Sequence, residues 1–249
     1  MLTRSRRASI EAEIKSSGEV TVQKLAEEFG VSASTIRRDL NELSRQGRLQ
    51  RVRGGGSIDP DPAPYHQIES SHAESKCQIG RATAAMVQDG EVIILDIGTT
   101  VAQVAIHLRN RRVTVITASL AVVDALRDSQ ETELIVLGGV LRSSYLSLVG
   151  ALTESALSQI AADVAILGAS GIADNGNVLD STGIEVPVKR AIMRAADRNI
   201  LVLAEDKFPG TGLLAVCGAD SIDTVVTSRR DPAPGLDALQ RSAGRIITT

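Results

Sequence analysis

Seven short aliphatic runs recur in the chain, at Val92–Asp96, Val113–Thr117, Leu134–Leu137, Val164–Leu167, Ile200–Leu203, Thr224–Thr227 and Ile246–Thr248. Each has the length of a strand and not of a helix. Between most of them lie helix-length segments with apolar residues three and four apart, as at Val101, Val104, Ala105 and Leu108. Such alternation calls for a mainly parallel sheet whose crossovers are helices. Residues 213–217 form a weaker eighth candidate strand. Aromatic residues make up only 2% of the chain and hydrophobic residues 43%, so the core must be aliphatic, as strands buried on both faces require.

The pattern before residue 60 differs. Residues 5–16 read as a helix with Ile10 and Ile14 inward. Val22, Leu25, Ala26 and Phe29 share one helical face, and Gly30 follows where a helix commonly ends. A third helix, roughly Ala33–Arg45, takes Ser32 or Ser34 as its cap and turns Ile36, Leu40 and Leu43 inward. Gly47 ends it. Leu49–Val52 then reads as a short strand, with Arg51 and Arg53 on one side and a turn at Gly54-Gly55-Gly56. The stretch SIDPDPAPYHQ is linker in composition. A chain of 249 residues is comfortable for two domains. The expected organisation is a winged helix-turn-helix over residues 1–57, a linker over 58–75 and an α/β domain over 76–249.

Two short helices, a tight turn and a basic strand describe a DNA-reading head whose second helix enters the major groove. Opposite its inward face stand Ser34, Arg38, Asn41 and Arg45, with Thr35 and Arg37 beside them and Ser32 just before. Arginine can bond guanine bidentately, and hydroxyls can bond bases or phosphates. Arg51 and Arg53 are placed for backbone phosphate or the minor groove. Charge agrees: residues 1–56 hold 11 Lys and Arg against 7 Asp and Glu, whereas the remainder holds 16 against 23. The expected partner is double-stranded operator DNA, bound by a homo-oligomer (dimer or tetramer), since one head reads too few bases for genomic specificity.

In the α/β part the loop Asp96-Ile97-Gly98-Thr99-Thr100 joins a strand end to a helix start, where open α/β sheets bind ligands and exposed N–H groups favour an anion. Other strand ends add Thr117 and Ser119, Gly138 and Gly139 with Arg142, Ser170 with Asp174, and Lys207. Small residues leave room for a ligand there, and Arg142 and Lys207 supply positive charge. Glu185 and Lys189, four apart on a helix, read as a surface ion pair. An isomerase would need a carboxylate base, for which Asp174 and Glu185 are the candidates. His66, His72 and His107 are too scattered, and Cys77 and Cys217 too far apart in sequence, to suggest a metal site. No cofactor is expected. No apolar run suggests a membrane span or a secretory signal, so a cytoplasmic location is expected.

The stretch VQKLAEEFGVSASTIRRDLNELSRQGRLQRVRGGG resembles the N-terminal signature of the DeoR family of bacterial regulators. DIGTT, LGGVLRSSYLSLVG, LGASGIADNG and EVPVKRAIMRAADRNILVLAEDKF resemble that family's C-terminal domain. The resemblance implies a regulator, most often a repressor, of sugar or polyol metabolism genes. It also implies a body similar in fold to ribose-5-phosphate isomerase and an effector that is a phosphorylated sugar or polyol. Gly98, Thr99 and Thr100 would then hold phosphate, with Lys207 nearby. The chain departs from the family pattern at Thr117-Ala118-Ser119, at Ala204-Glu205-Asp206 and at Ser228.

Overall fold

The computed structural model describes residues 3–17, 19–45, 50–52, 55–57, 64–212 and 214–249, and divides into two units, Met1–Ala63 and Pro64–Thr249. In the first unit three helices, α1 (Thr3–Ser17), α2 (Val22–Phe29) and α3 (Ala33–Arg45), pack with three short strands. These are β1 (Glu19–Thr21), β2 (Gln50–Val52) and β3 (Gly55–Ser57), antiparallel in the order β1-β3-β2. The core is small and aliphatic: Ile10, Val20, Val22, Leu25, Ile36, Leu40 and Leu43. Local chemistry fixes the helix ends. Thr21 Oγ1 accepts the Lys24 N–H at 3.1 Å, and Gly30 takes the left-handed conformation (φ 60°) that ends α2. Ser32 Oγ accepts the Thr35 N–H at 3.2 Å and so caps α3. A buried ion cluster ties α1 to α3, with Arg6 Nε at 2.7 Å and Arg7 Nε at 2.9 Å from the two oxygens of Asp39.

The second unit begins with α4 (Tyr65–Ser70) and α5 (Ala73–Ala84). The sequence reading carried the linker to residue 75, and the structure shortens it. Tyr65 is 3% exposed and packs with Ala102, Ala121 and Leu146, so the body starts here despite the polar composition around it. The elements that follow are β4 (Val92–Leu95), α6 (Thr99–Leu108), β5 (Thr114–Thr117), α7 (Leu120–Leu126) and β6 (Glu133–Val136). Next come the hairpin β7 (Val140–Arg142) and β8 (Ser147–Val149), then α8 (Ala151–Leu157), β9 (Ala162–Leu167), β10 (Gly171–Ile172) and β11 (Val178–Asp180). The chain continues with α9 (Val186–Arg194), β12 (Ala196–Leu203), β13 (Leu214–Cys217), β14 (Thr224–Thr227), α10 (Pro234–Ser242) and β15 (Arg245–Thr248).

Seven of these strands form one sheet, β15-β14-β12-β9-β4-β5-β6, in which each neighbouring pair is parallel. All seven aliphatic runs lie in it; in the five inner strands alternate residues are buried against opposite layers, while the edge strands β6 and β15 are largely exposed. Ile93 and Leu95 join Val101, Val104 and Leu108 on one side, while Ile94 joins Leu157, Ile192 and Leu239 on the other. A small antiparallel sheet, β10-β11-β13, and the separate β7–β8 hairpin complete the unit. No helix among the described residues is long and apolar enough to cross a membrane.

Candidate functional site

In the head, α3 buries Ile36, Asp39, Leu40 and Leu43 and exposes Ser34, Arg37, Arg38 and Asn41. Ser32 is exposed at the cap, and its hydroxyl lies 2.8 Å from Ser34 Oγ and 2.9 Å from Thr35 Oγ1. The helix start therefore presents three hydroxyls beside two arginines, donors that suit base edges and phosphate. Arg45 closes α3 and Arg51 lies on β2 opposite Gly56. Their side chains, and Arg53, lie outside the described residues.

In the body, the sheet winds both ways from its middle. From β4 the chain moves outward to β5 and β6, then returns to β9 on the other side of β4 and continues to β12, β14 and β15. The switch point thus lies between β4 and β9, where ligands of open α/β sheets bind. The loops that meet there are Asp96–Gly98 and Gly168–Ser170. Gly168 N–H donates to Asp96 Oδ2 at 3.1 Å, and Asp96 N–H to Ile166 O at 3.0 Å. Gly98 adopts φ 114° and ψ 158°, backbone that only glycine takes without strain, and opens α6. The first N–H groups of α6, at Thr99 and Thr100, have no acceptor within their helix, and the helix dipole makes this end attractive to an anion.

Behind that loop runs a buried charged network. Lys189 Nζ bonds Asp96 Oδ2, donates to Gly168 O at 3.0 Å and lies 3.5 Å from Asp180 Oδ2. Glu185 Oε1 bonds Arg142 Nη1 and accepts from Ser147 Oγ at 3.0 Å, while Glu185 Oε2 accepts from Thr182 Oγ1 at 2.8 Å. Burial would push the Lys189 ammonium down, but Asp96 and Asp180 outweigh it and hold the group above its ordinary range. Burial and the charge of Asp180 push the Glu185 carboxyl up. Among the described side chains, the network brings the carboxyl groups of Asp96, Asp180 and Glu185 onto the two cations Lys189 and Arg142.

This corrects the surface-pair reading of Glu185 and Lys189. Both are 3% exposed, and each finds its partner on another element. Glu185 also stands at the cap position of α9, one residue before the helix proper. A sequence signal existed: Lys189 lies next to Val188 and three before Ile192, on the stripe that α9 buries. Asp180, Thr182 and Ser147 were not singled out in the sequence, and nothing in their local pattern marks them.

The remaining candidates divide. Thr117 Oγ1 donates to Leu95 O at 2.8 Å and accepts from Ser119 N–H at 3.0 Å, and Ser119 caps α7, so both side chains shape the end of β5. Gly138 O accepts from Thr153 Oγ1 at 2.7 Å. Gly139 is pressed so closely on Thr153 and Val149 that a Cβ would collide with them. Ser170 Oγ accepts from Ser181 N–H at 3.2 Å, beside the switch point. Arg142 reaches the site through Glu185. Lys207 is paired with Asp206 at 2.9 Å, and Asp174 lines a separate cavity with Phe208, Pro209 and Arg229. Two departures from the family pattern meet: Glu205 N–H donates to Ser228 Oγ at 3.0 Å, and the Ser228 hydroxyl returns a bond to the Glu205 carboxylate.

An exposed, hydroxyl- and arginine-bearing helix in a winged head, joined to an α/β body with an anion-seeking loop at its switch point, defines a DNA-binding transcription regulator with a sensor domain. Residues 6–60 match the model of the DeoR-like helix-turn-helix domain and residues 71–229 that of the DeoR C terminal sensor domain; the chain belongs to the DeoR family. It is 33% identical over 229 residues to the glycerol-3-phosphate regulon repressor of Escherichia coli, with 91% of each chain covered. It is 30% identical to the transcriptional repressor GlcR of Bacillus subtilis (95% of this chain, 92% of the other). It is also 30% identical to the L-fucose operon activator of Haemophilus influenzae (88% and 89%). Among solved structures, ribose 5-phosphate isomerase A from Methanocaldococcus jannaschii aligns over 55% of each chain at 19% identity and a TM-score of 0.41.

Proposed function

We propose that this regulator is a repressor of carbohydrate or polyol metabolism genes, released from its operator by a phosphorylated sugar or polyol. The observation that carries the reading is the pairing, at one switch point, of a glycine-opened helix start with a buried network rich in carboxyl acceptors. Phosphate suits the first, and the hydroxyls of a sugar or polyol suit the second. The names of the repressors above support the direction and the substrate class, although a relative of equal identity is called an activator. The chain works by binding, in the cytoplasm, as a dimer or tetramer whose heads read paired half-sites.

The test starts from operator DNA selected in vitro from random duplexes. Binding is followed by fluorescence anisotropy against a panel that includes glycerol 3-phosphate, hexose 6-phosphates, the same compounds without phosphate, and inorganic phosphate. One phosphorylated compound should release the specific complex, and its dephosphorylated form should not. Failure of every phosphorylated compound overturns the effector class. The same mixtures assayed for aldose–ketose interconversion should show no turnover.

A further inference from the structure

The β7–β8 hairpin is a sheet of its own, and it touches two places that matter. On one side Arg142 bonds the Glu185 carboxylate, and Ser147 Oγ donates to the same oxygen at 3.0 Å. On the other side, its turn meets the start of the body. Ser144 O accepts the Tyr65 N–H at 2.9 Å, and the Tyr145 ring packs edge-on to the Tyr65 ring with centroids 6.4 Å apart. Arg142 lies 6.0 Å from the centre of that Tyr145 ring. Leu146, which packs against Tyr65, has φ 56°, a left-handed conformation that its side chain disfavours. The hairpin is also fastened to the ends of the main sheet, with Leu148 N–H donating to Ala118 O at 2.8 Å and Leu120 N–H to Leu146 O at 2.8 Å.

Tyr65 is buried, and it is the second residue of the body after the chain leaves residues 1–63. A continuous set of contacts therefore runs from the charged network, through Glu185, Arg142, Tyr145 and Ser144, to the point where the N-terminal unit is tethered. We propose that the hairpin reads the effector site: Glu185 holds it through Arg142, and Tyr145 passes its position to Tyr65. The inference rests on the proposed reading that an effector takes the switch-point site. A sugar or polyol hydroxyl entering there donates to the Glu185 carboxylate and so competes with Arg142 for it. Glu185 and Tyr145 act as positioning residues for the first helix of the body, through Arg142 and Tyr65.

The test needs no effector. Glu185→Gln removes the charge that holds Arg142, and Tyr145→Leu removes the ring at Tyr65. In the full chain each should lower affinity for the selected operator by about tenfold, leave affinity for unrelated duplex unchanged, and raise amide hydrogen exchange at residues 65–70. Tyr145→Phe keeps the ring and should behave as the unaltered protein. The double variant Glu185→Gln with Tyr145→Leu should be no worse than the weaker-binding single, because both break one path. A folded single variant with unaltered operator affinity and unaltered exchange at 65–70 overturns the proposal, and so do fully additive losses. If the variants lose affinity while no phosphorylated compound of the panel releases the unaltered protein, the hairpin role stands and the effector class falls.

Discussion

Lys189 is the residue on which the body's polar chemistry turns. It is 3% exposed and neutralises Asp96 and Asp180, both buried. Lys189→Met keeps most of the side-chain volume but leaves two buried carboxylates without their cation. Breaking a buried pair from one side costs about 3–5 kcal/mol. The variant should lose that much stability in urea unfolding of the body, and a loss under about 1 kcal/mol would show that water already screens the pair. The pH behaviour follows from the direction of the shift. A folded-state value above the free one of 10.5 gives a contribution intact below that pH and lost only in strong alkali. Burial pushes the Asp96 carboxyl up and Lys189 opposes that, so the variant's deficit should shrink as pH falls and the unpaired carboxyl takes up a proton. This role is legible in the sequence only indirectly. Spacing shows that Glu185 and Lys189 share a helix stripe, but only the neighbours Val188 and Ile192 indicate that the stripe faces inward.

At the scale of elements, the proposed contacts with DNA and effector sit at helix starts. On α3, the helix assigned to the major groove, Arg38 is exposed opposite Leu40 and Leu43, and its guanidinium suits a guanine edge. Arg38→Ala should cost about 1–3 kcal/mol of specific binding, roughly ten- to a hundredfold. Circular dichroism should be unchanged, since nothing buried is lost; unaltered operator affinity would show that another face of the helix reads the DNA. On α6, Gly98→Ala meets no neighbour within 4 Å, so any effect is backbone strain alone. It should destabilise the body by about 1–3 kcal/mol and blunt the effector response; a neutral result would mean that the loop relaxes to φ below zero. The long elements were legible for a physical reason. The inner strands of the main sheet are buried on both faces, and the neighbouring helices repeat at 3.6 residues, so both leave a mark in the order of residues. The hairpin β7–β8 and the strands β10 and β11 leave none. They are two or three residues long, too short to show a period; among the described residues β7 pairs only with β8, and β11 is held by β13, more than thirty residues on, at Leu179 with Ala215. The strand order is equally hidden, which is why the loops after β4 and β9 were named separately in the sequence and only the fold makes them one site.

At the scale of the whole molecule, the claim of regulation is a claim about linkage. If an effector weakens operator binding by some factor, operator must weaken effector binding by the same factor, because both routes join the same four states. Couplings of this kind span about 5- to 150-fold, and a switch from nearly all bound to nearly all free needs about 10⁴-fold preference, which one site cannot supply alone and several sites per assembly can. The measurement is a titration of the releasing compound into the protein, free and then saturated with the selected operator, with sedimentation confirming the same number of chains in both. The expected result is effector affinity lower on the operator by the factor read from release. Equal affinities would mean that the compound does not act through the body's equilibrium. A smaller factor than release implies would place part of the effect in assembly, with the effector changing how many heads act together and leaving the grip of each head unchanged.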